Sequence, residues 1–240
     1  KAYQNLLSIG KKFQKEIILI KTNLRETRFK ILNWLPNYGF ALPSAAVLFE
    51  NLYSRVLLSS DLKFDNFQDK VLKIGDSPRL VPLFSTSQIF FSLNSQNINR
   101  TDKIFFLSKN QFVMKNLRVC WRSKNFSNCS LCEKCFRTMT AFYLIKKLKF
   151  LKTFNKNNFN LKNLSKIYIK DDMIASFWIE LINYAMKVKK HDVAGAIQKS
   201  IMISKYIRIF KTIINKLKSI KITSKFGYII DKLIMRNLIK

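Results

Sequence analysis

Four cysteines, Cys120, Cys129, Cys132 and Cys135, lie within sixteen residues and have the spacing C-x8-C-x2-C-x2-C. Zinc takes four soft ligands such as thiolates at tetrahedral corners, about 2.3 Å from the ion. A C-x2-C pair can bend around one ion as a tight knuckle, and the last three cysteines form two overlapping pairs. The remaining cysteine, Cys120, would lie at the end of a preceding strand. The spacing therefore predicts a zinc knuckle that uses all four thiolates.

Two other interpretations of the cluster stay open at this point. Iron–sulfur clusters also take four cysteines, and a redox disulfide would use only two of them. Four protein ligands leave no position for water or substrate on a zinc ion, which indicates a structural metal. Such a site carries about two net negative charges, and the basic residues nearby in the chain could offset them. These are Arg118, Arg122, Lys124, Lys134 and Arg137.

Two elements must bring the cysteines together. Residues 116–121 (NLRVCW) read as a short strand that delivers Cys120, and residues 133–149 read as a helix. Further upstream, residues 2–14 and 42–52 suit helices, the second with Pro43 in its first turn. Short apolar runs at 16–21 and 55–59 suit buried strands. The alternation of helix and strand predicts a parallel sheet with crossover helices.

The remaining segments divide into loops and helices. Residues 60–85 carry Gly75, Pro78 and Pro82 and are predicted to form a loop, followed by short helices at 85–91 and 102–107. An asparagine-rich stretch at 155–163 indicates a loop or domain boundary. Periodic apolar positions predict long helices at 171–188 and 196–220. We therefore predict an α/β domain over residues 1–150 and an all-helical C-terminal extension over residues 151–240.

The formal charge of +30 attracts polyphosphates, nucleic acid or anionic membranes. Lysine, asparagine, isoleucine and phenylalanine are over-used together, as AT-rich codons would produce, and the charge is spread evenly along the chain. We favour composition bias over a nucleic-acid surface. No apolar run approaches the roughly 18–20 residues of a spanning helix, so we expect no transmembrane segment. The expected location is a reducing compartment, the cytoplasm.

The single histidine, His191, stands beside Lys189, Lys190 and Asp192 and is predicted to be a solvated loop residue. Serine–histidine or cysteine–histidine catalysis is therefore disfavoured. Trp34, Trp121 and Trp178 are predicted to pack rather than to stack on bases. The helix at 196–220 has a broad apolar face and a basic face. It could lie on an anionic membrane, but packing on the domain is the preferred interpretation.

Residues 117–138 (LRVCWRSKNFSNCSLCEKCFRT) resemble the zinc segment of 7-cyano-7-deazaguanine synthases, which share the C-x8-C-x2-C-x2-C spacing. Those enzymes are PP-loop ATP pyrophosphatases, also called adenine nucleotide alpha hydrolase-like proteins. Poorly characterised PP-loop relatives are more similar still, with R-V-C-W before N-C-x-x-C-E-K-C-x-R-T-M. Residues 75–86 (GDSPRLVPLFST), 22–25 (TNLR) and 59–61 (SSD) resemble further family segments. The resemblance covers about residues 1–150.

The resemblance implies an incomplete parallel sheet of the HUP/PP-loop type, flanked by helices. Family members bind ATP and Mg²⁺ at the carboxyl edge of the strands, activate a carboxylate or carbonyl oxygen as an adenylate, and release pyrophosphate. A nitrogen or sulfur nucleophile then displaces AMP. By the same resemblance, Arg25 would face the nucleotide, and Asp61 and Arg79 would lie near the substrate. Arg79 could hold a carboxylate or phosphate. The alternative is that all three are solvated loop charges.

The family's nucleotide loop, S-G-G-x-D-S, is absent, and the chain contains no two adjacent glycines. Glycines let backbone N–H groups approach the pyrophosphate closely, so the 240 residues alone should not hydrolyse ATP. By resemblance, residues 2–14 correspond to the helix before the third strand, and the loop would precede Lys1. We thus expect the carboxyl-terminal part of an ATP-dependent adenylating, C–N ligase-like enzyme that acts on a small carboxylate. The alternatives are a basic zinc module that binds nucleic acid and a tRNA-modifying PP-loop relative.

Overall fold

The computed structural model describes residues 2–32, 34–60, 63–64, 77–120, 122–123 and 127–219. Over these ranges the chain is mixed α/β and mostly helical, with a parallel pair of strands. It divides into two compact units, Lys1–Lys103 and Ile104–Lys240. The predicted mixture of helices and parallel strands is therefore confirmed at this coarse level.

The first unit contains helices α1 (Ala2–Phe13) and α2 (Trp34–Ala46) and strands β1 (Arg55–Ser59) and β2 (Phe90–Asn94). Helix α3 (Arg100–Leu107) begins at its end. Short 3₁₀ turns occupy Leu24–Glu26, Arg28–Ile31, Val47–Phe49 and Val81–Phe84. The helix predicted at 2–14 and the strand predicted at 55–59 are confirmed, but the strand was expected to be buried and its residues are half-buried or exposed.

The two strands run parallel, with Arg55 opposite Phe90 and Ser59 opposite Asn94. Parallel strands need a crossover connection rather than a hairpin, and residues 60–89 supply it. One face of the pair packs on a small core of Val81, Ile89 and Phe91, all of them at most 1% exposed. The segment before β2 supplies Val81 and Ile89, and β2 itself supplies Phe91, so the sheet packs mainly on the stretch of chain that leads into its second strand.

Two local predictions in this unit are wrong. Residues 16–21 form no strand; Ile18, Leu19 and Ile20 are exposed, and no described strand pairs with them. Residues 85–91 form no helix, and their last two residues begin β2. Ser85 Oγ accepts from Phe91 N, and Thr86 Oγ1 accepts from Gln88 N. These hydroxyls resemble a helix N-cap in sequence but close a turn that leads into the strand.

Pro43 lies inside α2, close to its end, rather than in the first turn of a helix at 42–52. A helix tolerates proline best in its first turn, because only there is the missing N–H group unneeded. Here the regular helix ends at Ala46 and continues as the 3₁₀ turn Val47–Phe49. The predicted helix existed, but it began earlier along the chain and ended sooner.

The second unit is built of helices. Helix α4 (Gln111–Asn116) leads into the cysteine segment, α5 (Glu133–Leu144) leaves it, and α6 (Leu161–Leu164) follows two 3₁₀ turns at Leu148–Phe150 and Lys156–Asn158. Helices α7 (Asp172–Lys187) and α8 (His191–Ser219) complete it. The helices predicted at 171–188 and 196–220 are confirmed, although α8 begins at His191.

Helix α5 lies at the centre of the second unit. Every residue from Cys135 to Phe142 is buried, and these side chains pack against α7 and α8 through Trp178, Leu181 and Ile197. The same core includes Leu151, Phe154 and Leu164. Residues on both sides of position 150 therefore share one hydrophobic core.

Serine hydroxyls attach α8 to the segment before α7. Ser204 Oγ accepts a hydrogen bond from Ile169 N at 2.8 Å, and Ser200 Oγ donates to Ile167 O. Arg208 donates to Ile169 O and forms an ion pair with Asp172 at 2.8 Å. Both serines are buried, so α8 is held by polar contacts as well as by packing. Among the described helices, none combines the length and hydropathy needed to span a bilayer.

Candidate metal centre

The four cysteines come from an irregular segment, a turn and a helix start. Cys120 ends the irregular residues 117–120, Cys129 lies in the turn before α5, Cys132 is the N-cap of α5, and Cys135 is in its first turn. The strand predicted at 116–121 is wrong for its described residues, because Asn116 ends α4 and residues 117–120 join no ladder among the described residues. Their backbone instead bonds to side chains of the cysteine segment.

The four sulfur atoms converge, and all lie within 4.8 Å of one another. Cys132 Sγ is 3.5 Å from Cys135 Sγ and 3.8 Å from Cys120 Sγ, and Cys129 Sγ is 3.7 Å from Cys135 Sγ. The cysteines are free thiols rather than disulfides. Cys120 and Cys135 are buried, and the other two are half-buried. The predicted convergence is therefore present, and the group could hold a metal ion.

The four thiols divide into two pairs by the direction of their pKa shifts: the pKa is lowered for Cys120 and Cys132 and raised for Cys129 and Cys135. The hydrogen bond from the Cys135 thiol lowers the pKa of Cys132 to about 4, against the burial that would raise it. That same bond raises the pKa of Cys135, and burial adds to the effect. Burial also raises the pKa of Cys129. Burial opposes ionisation of Cys120, but hydrogen bonds from Cys129 and from backbone N–H groups outweigh it and lower the pKa.

This division has an electrostatic cause. Thiolates less than 4 Å apart repel one another, so protons remain on some of the sulfurs unless a cation is present. A divalent ion at the centre reverses the balance and favours all four thiolates. Backbone N–H groups also face the cluster: Arg122 N donates to Cys120 Sγ and Cys132 N to Cys129 Sγ, each at 3.3 Å. Both contacts stabilise negative charge on sulfur.

Asn128 attaches residues 117–120 to the knuckle, the turn and helix start that carry the other three cysteines. Its Oδ1 accepts hydrogen bonds from Val119 N at 2.9 Å and Cys120 N at 3.1 Å. Its Nδ2 donates to Leu117 O and to Thr153 Oγ1. Asn128 is only 5% exposed. One buried amide thus takes the place of a neighbouring strand and positions Cys120 beside the other three ligands.

Ser130 supports the turn between Cys129 and Cys132. Its φ is 57°, in the left-handed region that a non-glycine residue adopts at a cost in energy. The side chain is fully buried, and its Oγ accepts from Asn155 N at 2.8 Å. The turn is therefore held in its bent shape by a contact with the loop after α5.

A buried polar contact links the knuckle to α7. Glu133, the residue after Cys132, accepts a hydrogen bond from Trp178 Nε1 at 2.9 Å and lies 3.4 Å from Arg137 Nε. The Arg137 guanidinium stacks over the Phe177 ring, 4.4 Å from its centroid. An acidic side chain in the first turn also suits the positive end of the helix dipole. These contacts hold the first turns of the ligand-bearing helix against α7.

The basic residues near the cluster play different parts. Arg118 Nε donates to Cys120 O at 3.2 Å, so its charge is near the site. Arg122 is exposed and contributes its backbone N–H to sulfur. Arg137 pairs with Glu133 and stacks over Phe177. Lys134 is half-buried on α5, and Lys124 lies outside the described residues.

The other candidate residues lie in the first unit. Arg25 is exposed and stacks on Trp34, with its guanidinium carbon 3.9 Å from the ring centroid. Arg79 is exposed, and its backbone N donates to Ser77 Oγ. Asp61 lies outside the described residues. The nucleotide and substrate roles assigned to these three residues stay predictions.

The predictions for the aromatic residues and the histidine have mixed outcomes. Trp178 is buried, as a packing role requires, while Trp34 is half-buried beside Phe29 and Tyr38. Trp121 lies outside the described residues. His191 is exposed as predicted, but it is the first residue of α8 rather than part of a loop.

Sequence reasoning missed the residues that shape the site without binding metal: Asn128, Ser130, Thr153 and the pair of Glu133 and Trp178. The only available signal was Asn128 itself, since asparagine commonly bonds to nearby backbone. Comparison with protein-family models, curated proteins and solved structures finds no match for this chain. The geometry and the sequence motifs therefore carry the functional argument.

Proposed function

We propose that Cys120, Cys129, Cys132 and Cys135 bind one structural zinc ion. A tetrahedron of sulfurs around a single ion at about 2.3 Å has edges of about 3.8 Å. Three of the six sulfur separations, 3.5, 3.7 and 3.8 Å, are close to that figure, and all six are at most 4.8 Å. This agreement is the observation that carries the proposal.

The same distances disfavour the competing interpretations. A cluster of several irons and sulfides holds its cysteines farther apart than one ion does, because the inorganic core lies between them. A disulfide would bring two sulfurs to about 2.05 Å, and the shortest separation here is 3.5 Å. All four sulfurs are close enough together to share a single tetrahedral ion. We further propose a reducing compartment, the cytoplasm, where the thiols remain available as ligands.

Bound zinc would brace the second unit. It would join the irregular residues 117–120 to the first turn of α5, whose side chains form the centre of the core. Four protein ligands leave no coordination position for a substrate, so the ion would stabilise rather than react. Binding free energy of such sites is coupled to folding, and chelation would loosen the whole knuckle.

Metal analysis of the purified chain tests the assignment. We expect one zinc per chain, retained through dialysis, and loss of that zinc in the variant Cys132→Ser. A matched control is Ser127→Ala, which changes an exposed side chain in the same segment. Iron with inorganic sulfide, or a chain that binds no zinc when refolded with it, would contradict the proposal.

At the level of the whole protein, we propose a PP-loop-type ATP-dependent adenylating ligase that acts on a small carboxylate. Two observations support this: the motif NCSLCEKCFRTM at residues 128–139, and the parallel pairing of β1 with β2. Parallel sheets with helical crossovers are the usual setting for nucleotide binding at the strands' carboxyl ends. In this proposal Arg25 faces the nucleotide, and Asp61 and Arg79 face the substrate.

Pyrophosphate release tests the enzymatic proposal. The 240 residues contain no adjacent glycines and thus no loop of the S-G-G-x-D-S type, so we expect no ATP turnover by them alone. A polypeptide that joins this chain to an S-G-G-x-D-S-containing segment should release pyrophosphate with its carboxylate substrate. Its Arg79→Ala variant should fold normally and lose substrate binding. Robust turnover by the 240 residues alone would refute this arrangement.

A further inference from the structure

Helix α8 is apolar on two opposite sides. One side, which includes Val193, Ile197 and Ile214, is buried in the second unit. The other side exposes five large apolar residues, between 47% and 66% accessible. We call these five the outer stripe: Met202, Tyr206, Ile209, Phe210 and Ile213.

The outer stripe is a continuous feature. At 100° per residue, its five positions fall within an arc of about 100° on one side of the helix. The buried residues Ile197 and Ser204 lie on the far side of that arc. Part of the stripe lines a shallow groove with Gln198 and Lys205. Single exposed apolar residues are ordinary, but a stripe of five on one helix indicates a contact surface.

Charge identifies the kind of partner. Residues 193–219 contain six lysines and arginines and no acidic residue. Lys199 and Lys205 are exposed beside the stripe. Arg208, on the opposite side of the helix from the stripe, forms an ion pair with Asp172. The outer surface of the helix is therefore apolar along its middle and cationic beside it.

We propose that the outer stripe of α8 docks on an anionic phospholipid surface. The apolar side chains would enter the boundary between headgroups and acyl chains, and the flanking lysines would bind lipid phosphates. A second copy of the chain is disfavoured as the occupant, because it would bring the same lysines against each other. Nucleic acid would use the lysines but leave the apolar stripe exposed to water. This inference is independent of the zinc site and of the enzymatic proposal.

Vesicle co-sedimentation of the full chain tests the inference. Vesicles of phosphatidylcholine alone are compared with vesicles that contain about 30 mol % phosphatidylserine, at about 0.1 M salt. We expect binding only to the anionic vesicles. The double variant Ile209→Ser/Ile213→Ser should weaken it at least about tenfold, since the apolar insertion is lost. Replacing Lys199 or Lys205 by glutamine should weaken it by roughly fivefold each.

The control keeps the charge and changes side chains away from the stripe. The double variant Thr212→Ser/Asn215→Ser changes exposed residues outside the stripe and should bind as wild type. Circular dichroism and thermal unfolding establish that every variant folds. Three results would overturn the inference: no binding to anionic vesicles, undiminished binding by the stripe variant, or a concentration-dependent dimer that buries the stripe. Undiminished binding would assign the attraction to net charge alone.

Discussion

The replacement Asn128→Ala should weaken the metal site without touching a ligand. Asn128 Oδ1 accepts from Val119 N and Cys120 N, and the amide is 5% exposed. Alanine leaves both N–H groups without this acceptor in a region that water barely reaches. A buried donor left unpaired costs about 1–3 kcal/mol. Because the two bonds hold one segment and are not independent, we expect a combined loss of about 2–4 kcal/mol.

That loss should appear mainly in metal affinity. Cys120 reaches the other sulfurs only while its segment is held, so the free energy of ordering the segment is subtracted from binding. A loss of about 2–4 kcal/mol corresponds to roughly 30- to 1,000-fold weaker zinc binding. Competition with a chromophoric chelator at fixed pH measures this change. One zinc should still bind at saturation, because all four thiolates remain.

A second substitution separates the acceptor role of the Asn128 amide from its donor role. Asn128→Asp keeps the acceptor for Val119 N and Cys120 N but removes the donor to Leu117 O. It also adds a negative charge near a site that is already anionic, which should favour the bound cation and oppose the metal-free fold. The control is Asn157→Ala, an exposed side chain in the loop after α5. Wild-type zinc affinity and thermal midpoint in Asn128→Ala would refute the reasoning.

Three further predictions concern the contacts and protons around the site. Trp178→Phe removes the donor to Glu133 and should lower the unfolding free energy by about 1–3 kcal/mol with one zinc still bound, as thermal melting with metal analysis would show. An unchanged thermal midpoint would mean that water takes the place of the indole N–H as the donor to Glu133. Ser204→Ala leaves Ile169 N unpaired and should lower the unfolding free energy by a similar amount. The control Ser176→Ala changes an exposed side chain and should alter that free energy by no more than about 0.5 kcal/mol. Equal effects of the two substitutions would contradict the packing of α8. The raised pKa values of Cys129 and Cys135 mean that these two thiols keep their protons at neutral pH. Zinc must displace both protons, so its affinity should fall by up to about 100-fold for each pH unit that the pH is lowered. Chelator competition between about pH 6 and pH 8 measures this slope, and a flat profile would count against proton displacement.

Local sequence predicted the helices well where apolar positions recur over several turns. Helices α7 and α8 appear where the pattern placed them, because a long amphipathic repeat has few alternative structures. Short apolar runs were less informative. Residues 16–21 and 55–59 look alike in sequence, but only the second run has a partner strand among the described residues. Pairing across distant segments decides such cases, and local composition does not contain it.

The sequence alone determined which side chains could hold a metal, since three of the four cysteines are close enough in the chain to face one point. It did not determine how Cys120 joins them. That depends on the Asn128 amide, on Ser130 bonding to the loop after α5, and on Glu133 meeting Trp178, contacts between residues up to 45 positions apart. Likewise the sequence predicted that α8 is amphipathic, and only packing decided which of its apolar sides is covered. Ligand chemistry is local to the residue type, whereas burial and hydrogen-bond partners are properties of the folded chain.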